Sequence, residues 1–311
     1  MSSPAALRVA APLAALAYPA LVRLGTAVSP AFLVIALAVP VLALVTAYVL
    51  GRTSASAFVR LVAHVAIAAP PLYALLGGWL DFQHTLPFGS LGVWIPLWSA
   101  LAIAALVDRR RAPQTILAAP RWLIAVHATS ALVITLFAAV HVVNHLAGLF
   151  GGDAHVAVMH TLRTVYRHPV VEPLLLAAVV FQVASGGWLL ARRLRGPAEW
   201  FPSLQTATGA YLLMFFASHV SAVFRARLLR NTDTDWSWLS GNELLTDPWS
   251  ARLVPYYFLS VIALAVHAAC GLRVVLRGHG VALHHANAVV AVIATLATVT
   301  SSLILAGLFR A

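Results

Sequence analysis

Long runs without a charged residue dominate the chain. Eight of them contain 19 or more residues each, and a helix needs about 20 apolar residues to cross the hydrocarbon core. They lie between Arg23 and Arg52, Arg60 and Asp81, Asp81 and Asp108, Arg121 and Asp153, Glu172 and Arg192, Glu199 and Arg225, Arg252 and Arg273, and Arg277 and Arg310. Strands of a membrane barrel would alternate apolar and polar residues instead. The pattern predicts an all-α, polytopic transmembrane helix bundle.

Two proline-containing segments affect the count and shape of these spans. The run between Arg8 and Arg23 is shorter and contains prolines, so it predicts either an interfacial helix or a ninth span. Prolines inside the longer runs each remove a backbone hydrogen bond and predict kinks. These prolines are Pro40, Pro70, Pro71 and Pro96. We therefore expect eight or nine spans, some of them bent.

Composition agrees with a membrane protein. Of the 311 residues, 61% are hydrophobic and 9% are charged, whereas a soluble domain carries about 25% charged residues. The formal charge of +11 comes from arginine alone, and the arginines cluster between apolar runs, as orientation signals do. We expect contact with membrane lipid, no binding of nucleic acid, and a location in a bacterial cytoplasmic (inner) membrane. The single cysteine, Cys270, excludes an internal disulfide.

Arginine-rich loops alternate with mixed or acidic ones, and the arginine-rich set should face the cytoplasm. We call that side of the bundle its inner end and the opposite side its outer end. The charged segment 109–120 predicts a boundary. Residues 1–108 would form an amino-terminal transmembrane unit of three or four helices whose role the sequence does not indicate. Residues 121–311 would form a five-helix bundle.

His141, His219 and His267 each lie inside an uncharged run, and an imidazole in hydrocarbon is costly unless something binds it. A rise of about 1.5 Å per residue puts His141 and His219 at one outer level, each about 30 Å from the inner end. The same rise puts Gln182 about 15 Å and His267 about 9 Å from that end. Two imidazoles that face each other across a bundle can hold haem iron. The alternative is a hydrogen bond to a carbonyl or hydroxyl of a neighbouring helix.

Further histidines have two interpretations each. His145 follows His141 by one turn, so it either binds a haem propionate or a quinone oxygen, or it marks the helix end among lipid headgroups. His127 lies near Thr129 and Ser130, where it either binds a quinone headgroup or belongs to a polar helix-packing cluster. His64 lies before the Pro70–Pro71 pair, where it either lines a cavity or bonds a carbonyl that the prolines leave free.

Three stretches in residues 120–311 carry a family resemblance. They are VHATSALVITLFAAVHVVNH (126–145), SLQTATGAYLLMFFASHVSAVFRAR (203–227) and YFLSVIALAVHAACGLRV (257–274). In this chain His219 follows Gly209 by ten residues, and Gly271 follows His267 by four residues. The same two spacings occur in the third and fourth helices of a known family of five-helix membrane proteins. The region resembles the five-helix cytochrome b membrane anchor of succinate dehydrogenase and fumarate reductase, the succinate:quinone oxidoreductases.

The resemblance implies two haems b, one above the other, each held by two histidines. The outer haem would use His141 and His219, and the inner haem would use His267 with the second-helix residue, which is Gln182 here. An amide is not an imidazole, so the inner haem is either absent, five-coordinate or ligated from His64 or His127. The count of haems is therefore one or two. The family also implies a quinone, and a flavoprotein and an iron–sulfur partner on the cytoplasmic face.

These observations leave three functions open. The first is electron transfer through at least one bis-histidine haem b, as a non-catalytic electron-transfer or anchor subunit of an oxidoreductase complex. The chain has no flavin or nicotinamide fingerprint and no cysteine set for an iron–sulfur cluster. The second is a non-redox transporter or assembly factor on the same scaffold. The third is a haem sensor or haem carrier with His267 at an exchangeable site.

Overall fold

The computed structural model describes residues 3–80, 89–110, 118–240, 247 and 250–310, and within these ranges the regular elements are all helices. Most of the linker 109–120 lies outside the described residues. The α-helices are α1 (Ala5–Ala27), α2 (Ala31–Gly51), α3 (Ala57–Ile67), α4 (Ala69–Leu80), α5 (Leu91–Val107), α6 (Arg121–Ala147), α7 (Gly152–Tyr166), α8 (Val171–Arg193), α9 (Trp200–Leu229), α10 (Trp236–Ser240), α11 (Leu253–Gly278) and α12 (Leu283–Leu308).

Seven of these helices are long and apolar enough to cross a membrane: α1, α2, α6, α8, α9, α11 and α12. Helices α3 and α4 make an eighth candidate if they count as one broken span, since they are bent by 73° at Ala68. Pro70 and Pro71 follow this break directly, which confirms the kink predicted there. Pro40 and Pro96 lie inside helices that continue past them. The polytopic helical bundle predicted from the sequence is confirmed.

The amino-terminal helices have a tightly packed aromatic core. Trp94 and Trp98 of α5 are fully buried. The Trp94 indole nitrogen donates to the carbonyl oxygen of Ala15 in α1 over 3.0 Å, and its ring meets Tyr73 of α4 edge-on with centroids 5.2 Å apart. The same hydrophobic core continues into α9, α11 and α12. The amino-terminal helices are therefore packed directly on the carboxy-terminal ones.

A buried arginine ties the two regions together at the inner end. Arg60 of α3 donates to the carbonyl oxygens of Leu194 (3.3 Å) and Gly196 (2.6 Å) in the connection between α8 and α9. It also donates to the carbonyl of Thr53 over 2.9 Å. Carbonyls that would otherwise lack a partner are thereby satisfied, which matters most where water is scarce.

Four long helices of the carboxy-terminal region form a ring. Helix α6 packs against α8, α8 against α9, α9 against α11, and α11 against α6, while α12 covers α11. The diagonal pairs, α6 with α9 and α8 with α11, make at most marginal backbone contact. Few side chains of α6 and α8 are buried, namely Ile134, Asn144 and Ser185. Contact between diagonal helices is therefore made mainly by side chains.

Replacing Trp94 tests whether the aromatic core stabilises the fold. Trp94→Ala should lower the free energy of unfolding by about 3–5 kcal/mol, because it leaves a large cavity and an unpaired carbonyl at Ala15. Equilibrium unfolding in mixed micelles measures the change. Trp122→Ala is the matched control, since that indole is 64% exposed and its removal should change stability little. Equal effects of the two substitutions would contradict this assignment of the core.

Candidate functional site: a histidine cluster at the outer end of the bundle

Two histidines from diagonal helices meet in the interior of the ring. His141 of α6 and His219 of α9 have ring centroids 6.1 Å apart and ring planes 70° to one another. Both residues are half-buried. Among the described residues His219 has ring contacts but no recorded hydrogen bond. The pair predicted from matching depths is therefore brought together, with ring nitrogens that other groups have not fully used.

Each of these histidines stacks on a phenylalanine one turn earlier in its own helix. Phe137 lies parallel to His141 with centroids 5.6 Å apart and planes at 15°. Phe215 lies parallel to His219 with centroids 5.2 Å apart and planes at 17°. The same spacing, Phe-x-x-x-His, therefore occurs in both helices. Residues four apart lie on one helix face, so each phenylalanine restricts the orientation of the imidazole that follows it.

His145 points a nitrogen at His141. The two Nε2 atoms are 3.2 Å apart, and the rings are perpendicular with centroids 4.6 Å apart. One Nε2 must donate and the other accept in this contact. The lone pair of His141 Nε2 cannot accept from His145 and bind a metal at the same time. Metal binding through that atom therefore requires His145 to turn towards another partner.

A fourth imidazole, from helix α7, closes the outer end of the cluster. His155 is 2% exposed, and its ring lies 5.5 Å from His145 and 4.9 Å from Trp236 between centroids. The Asn144 amide donates to His155 Nε2 over 3.2 Å. Among the described residues neither His155 Nδ1 nor Asn144 Oδ1 has a partner. Such a buried donor and acceptor are typical of a place that holds an ordered water.

Ion pairs hold α7 over the outer end. Arg163 of α7 pairs with Asp233 in the segment after α9 at 2.8 Å, and its hydrogen bond lowers the pKa of that carboxyl. Arg167, directly after α7, pairs with the same carboxylate at 3.8 Å. Burial lowers the pKa of His155, and the positive charge of Arg163 lowers it further. His155 is therefore a neutral imidazole whose burial depends on α7 remaining in place.

The inner polar residues form a different arrangement. The Ser185 hydroxyl donates to the Phe181 carbonyl over 2.6 Å, so His127 Nδ1 donates to Ser185 Oγ over 2.8 Å. The Gln182 amide nitrogen donates to His127 Nε2 over 3.4 Å, and its oxygen accepts from Ser130 over 2.7 Å. Polar bonds thus join α6 to α8 where few apolar side chains are buried.

His267 of α11 is bound to α9. Its Nδ1 donates to the Gln205 carbonyl over 2.9 Å, which leaves the lone pair on Nε2. A Cβ atom at position 209 would lie 3.0 Å from His267 Cε1, so Gly209 allows the ring to approach the α9 backbone. The sequence places Gln182 and His267 at similar inner depths. In the structure Gln182 is hydrogen-bonded to α6 and His267 is hydrogen-bonded to α9.

His64 and Arg60 lie apart from both histidine levels. His64 Nδ1 donates to the Arg60 carbonyl over 2.7 Å, which is the carbonyl one turn earlier in α3. The prolines at 70 and 71 leave the carbonyls of Ala66 and Ile67 without their usual amide donors. The prediction that His64 bonds such a carbonyl is therefore wrong, because its ring reaches back along its own helix instead.

Sequence reasoning found the outer pair but missed part of its surroundings. It did not identify Phe137 and Phe215, although the repeated Phe-x-x-x-His spacing was a usable signal. It gave no role to His155, which follows the uncharged run between Arg121 and Asp153. The structure instead buries His155 against Trp236 and Asn144. That contact depends on the chain folding back over the outer end.

The donor set limits what the cluster can bind. No three His, Cys, Asp or Glu side chains of the described residues converge as ligands of a metal ion. Two imidazoles facing each other suffice for a metal whose other positions are filled by a macrocycle, as in haem. Comparisons with protein-family models, with curated proteins and with solved structures found no match to this chain.

The low pKa of His155 predicts how stability changes with pH. Below about pH 6.5 the unfolded chain takes up a proton at this residue and the folded protein does not. Its contribution to stability is therefore complete above that pH and is lost as the pH falls towards the lowered value. Thermal unfolding from about pH 7.5 to about pH 5 should show this loss, and His155→Gln should reduce the slope.

The exposed His168 offers a matched control for this experiment. His168→Gln should leave the pH slope unchanged, because its ring lies at the surface in the segment after α7. A slope that is equally reduced in both variants, or unchanged in His155→Gln, would contradict the buried neutral state of His155.

Proposed function

We propose that the protein is a membrane electron-transfer protein that holds one haem b between His141 and His219. The observation that carries the proposal is the meeting of these two imidazoles from diagonal helices, at 6.1 Å between ring centroids. An axial imidazole nitrogen binds its metal at about 2 Å, so two axial rings have centres roughly 6 Å apart. The observed separation supports axial ligation by this pair.

The neighbouring side chains suit a porphyrin. Phe137 and Phe215 hold the two imidazoles by stacking and present apolar surface on both helices. With haem bound through His141 Nε2, His145 would leave its contact with His141 and would donate a hydrogen bond to a propionate or to water instead. When bound, haem b supplies one-electron transfer through its iron. The burial and hydrogen bonds of the two axial imidazoles then set its redox potential.

The inner level supports a helix junction in place of a second haem. The Gln182 amide oxygen accepts from Ser130 and its amide nitrogen donates to His127, and His267 is bound to the α9 backbone. Polar bonds between helices stabilise membrane bundles by roughly 1 kcal/mol each. We therefore assign Gln182, His127 and Ser185 to holding α8 against α6, and propose one haem per chain.

The wider proposal follows the resemblance to the succinate dehydrogenase and fumarate reductase anchors. The protein would span a bacterial inner membrane eight or nine times and exchange electrons with a quinone. Residues 121–311 would be the five-helix haem-binding bundle. A flavoprotein with an iron–sulfur subunit would dock at the arginine-rich inner end. The support for a partner is that this chain has no nucleotide-binding fingerprint of its own.

Optical spectra of ligand variants test the haem site. The reduced-minus-oxidised spectrum of the purified protein should show the bands of a low-spin b-type haem. His141→Ala and His219→Ala should each abolish them, because each removes one axial ligand. His145→Ala should retain most of the signal, since it is one turn away on the same face. Equal loss from all three variants would contradict the ligand assignment, and haem-free protein from haem-replete cells would favour a non-redox function.

The ratio of haem to chain tests the inner level. We expect one haem per chain in the wild type and in His267→Ala, measured by pyridine haemochrome against protein concentration. Gln182→Ala should keep the haem but lower the stability of the bundle by about 1 kcal/mol, because it removes bonds between α6 and α8. A wild-type ratio of two, falling to one in His267→Ala, would show that the inner level also holds a haem.

A further inference from the structure

A small pocket with positive charge lies at the inner end, away from the histidine cluster. It is a shallow, half-open pocket with an internal volume of about 20 Å³, between α2, α3, and the α8–α9 connection with the start of α9. Its polar lining consists of Arg60, His64, Arg193, Ser203 and Thr206. None of the pocket-lining residues is a carboxylate. A pocket with two guanidinium groups and no acid is suited to an anion.

The charge of Arg60 lacks a counter-ion in the part of the chain that the structure describes. The side chain is only 5% exposed, and its recorded hydrogen bonds run to three carbonyl oxygens. Its Nε is buried and has no hydrogen-bond partner among the described residues. A buried charge is costly unless an opposite charge accompanies it, so the site is incomplete without an anion.

The other lining groups complement a phosphate-sized anion. Ser203 adds a hydroxyl near the start of α9, where the amide groups of a helix favour negative charge. Arg193 is half-buried at the end of α8. It brings a second guanidinium to the pocket.

Aromatic residues beside the pocket indicate the depth of a lipid headgroup. Trp200 at the start of α9 is 46% exposed and meets Tyr48 of α2 edge-on, with centroids 5.4 Å apart. Tryptophan and tyrosine concentrate at the membrane–water interface.

We infer that this pocket binds the phosphate of an anionic phospholipid of the inner leaflet. Basic pockets between membrane helices at the cytoplasmic side commonly hold such headgroups. The bound phosphate would neutralise Arg60, which already ties α3 to the α8–α9 connection. The lipid would therefore stabilise the junction between the amino-terminal helices and the bundle. This site is independent of any haem.

Binding of phosphatidylglycerol to the delipidated full-length protein tests the inference. We expect native mass spectrometry to show one retained phosphatidylglycerol, and thermal unfolding to shift upwards with this lipid more than with phosphatidylcholine. Arg193→Gln should weaken phosphatidylglycerol binding roughly tenfold, since it removes a charge-assisted hydrogen bond. Arg193 is preferable to Arg60 as the test position, because Arg60 also holds backbone carbonyls and its loss could prevent folding.

Arg195→Gln is the matched control. Arg195 is exposed and lies two residues from Arg193, but it does not line the pocket, so its replacement should weaken binding much less. Equal weakening in both variants would mean attraction to the basic surface and would overturn the site. The inference also fails if phosphatidylcholine binds as tightly as phosphatidylglycerol. Inorganic phosphate that stabilises the protein as much as the lipid would overturn the lipid as the occupant.

Discussion

An imidazole inside hydrocarbon must be bound by something, and this constraint organises the carboxy-terminal bundle. The inner histidines have hydrogen-bond partners in neighbouring helices: His127 is bonded to the Ser185 hydroxyl and His267 to the Gln205 carbonyl. The outer pair differs, because His141 and His219 contact other aromatic rings and, among the residues that the structure describes, His141 is bonded only to His145. Two imidazoles that lack a carbonyl or carboxylate partner among those residues could instead bind a metal held in a macrocycle.

The amino-terminal helices contribute rigidity at the opposite end. Their core contains two fully buried tryptophans, and Arg60 joins them to the connection that leads into α9. Since α9 carries His219 some five turns further on, the inner junction sets the position of one outer imidazole. Arg60 at this junction and the imidazoles at the outer end are all buried polar groups. Their burial costs free energy unless each of them has a partner.

Helical spans and the level of His141 and His219 could be predicted from the sequence, because charge-free length and rise per residue determine both. The hydrogen-bond partner of Gln182 could not be predicted. The rise per residue gives the depth of a side chain but not the direction in which it points around the helix axis, and Gln182 points towards His127. The charge of Arg60 predicts that it ends a span, whereas the structure buries this side chain among backbone carbonyls. His155 was missed because only the tertiary fold brings α7 over the cluster.

The electron paramagnetic resonance spectrum of the oxidised, purified protein tests the central claim most directly. Two axial imidazoles keep ferric haem low-spin. The account predicts a low-spin ferric signal that converts to high-spin, or disappears with the haem, when His219 is replaced by alanine. A haem-free protein from haem-replete cells, or a low-spin signal that survives this replacement unchanged, would contradict it.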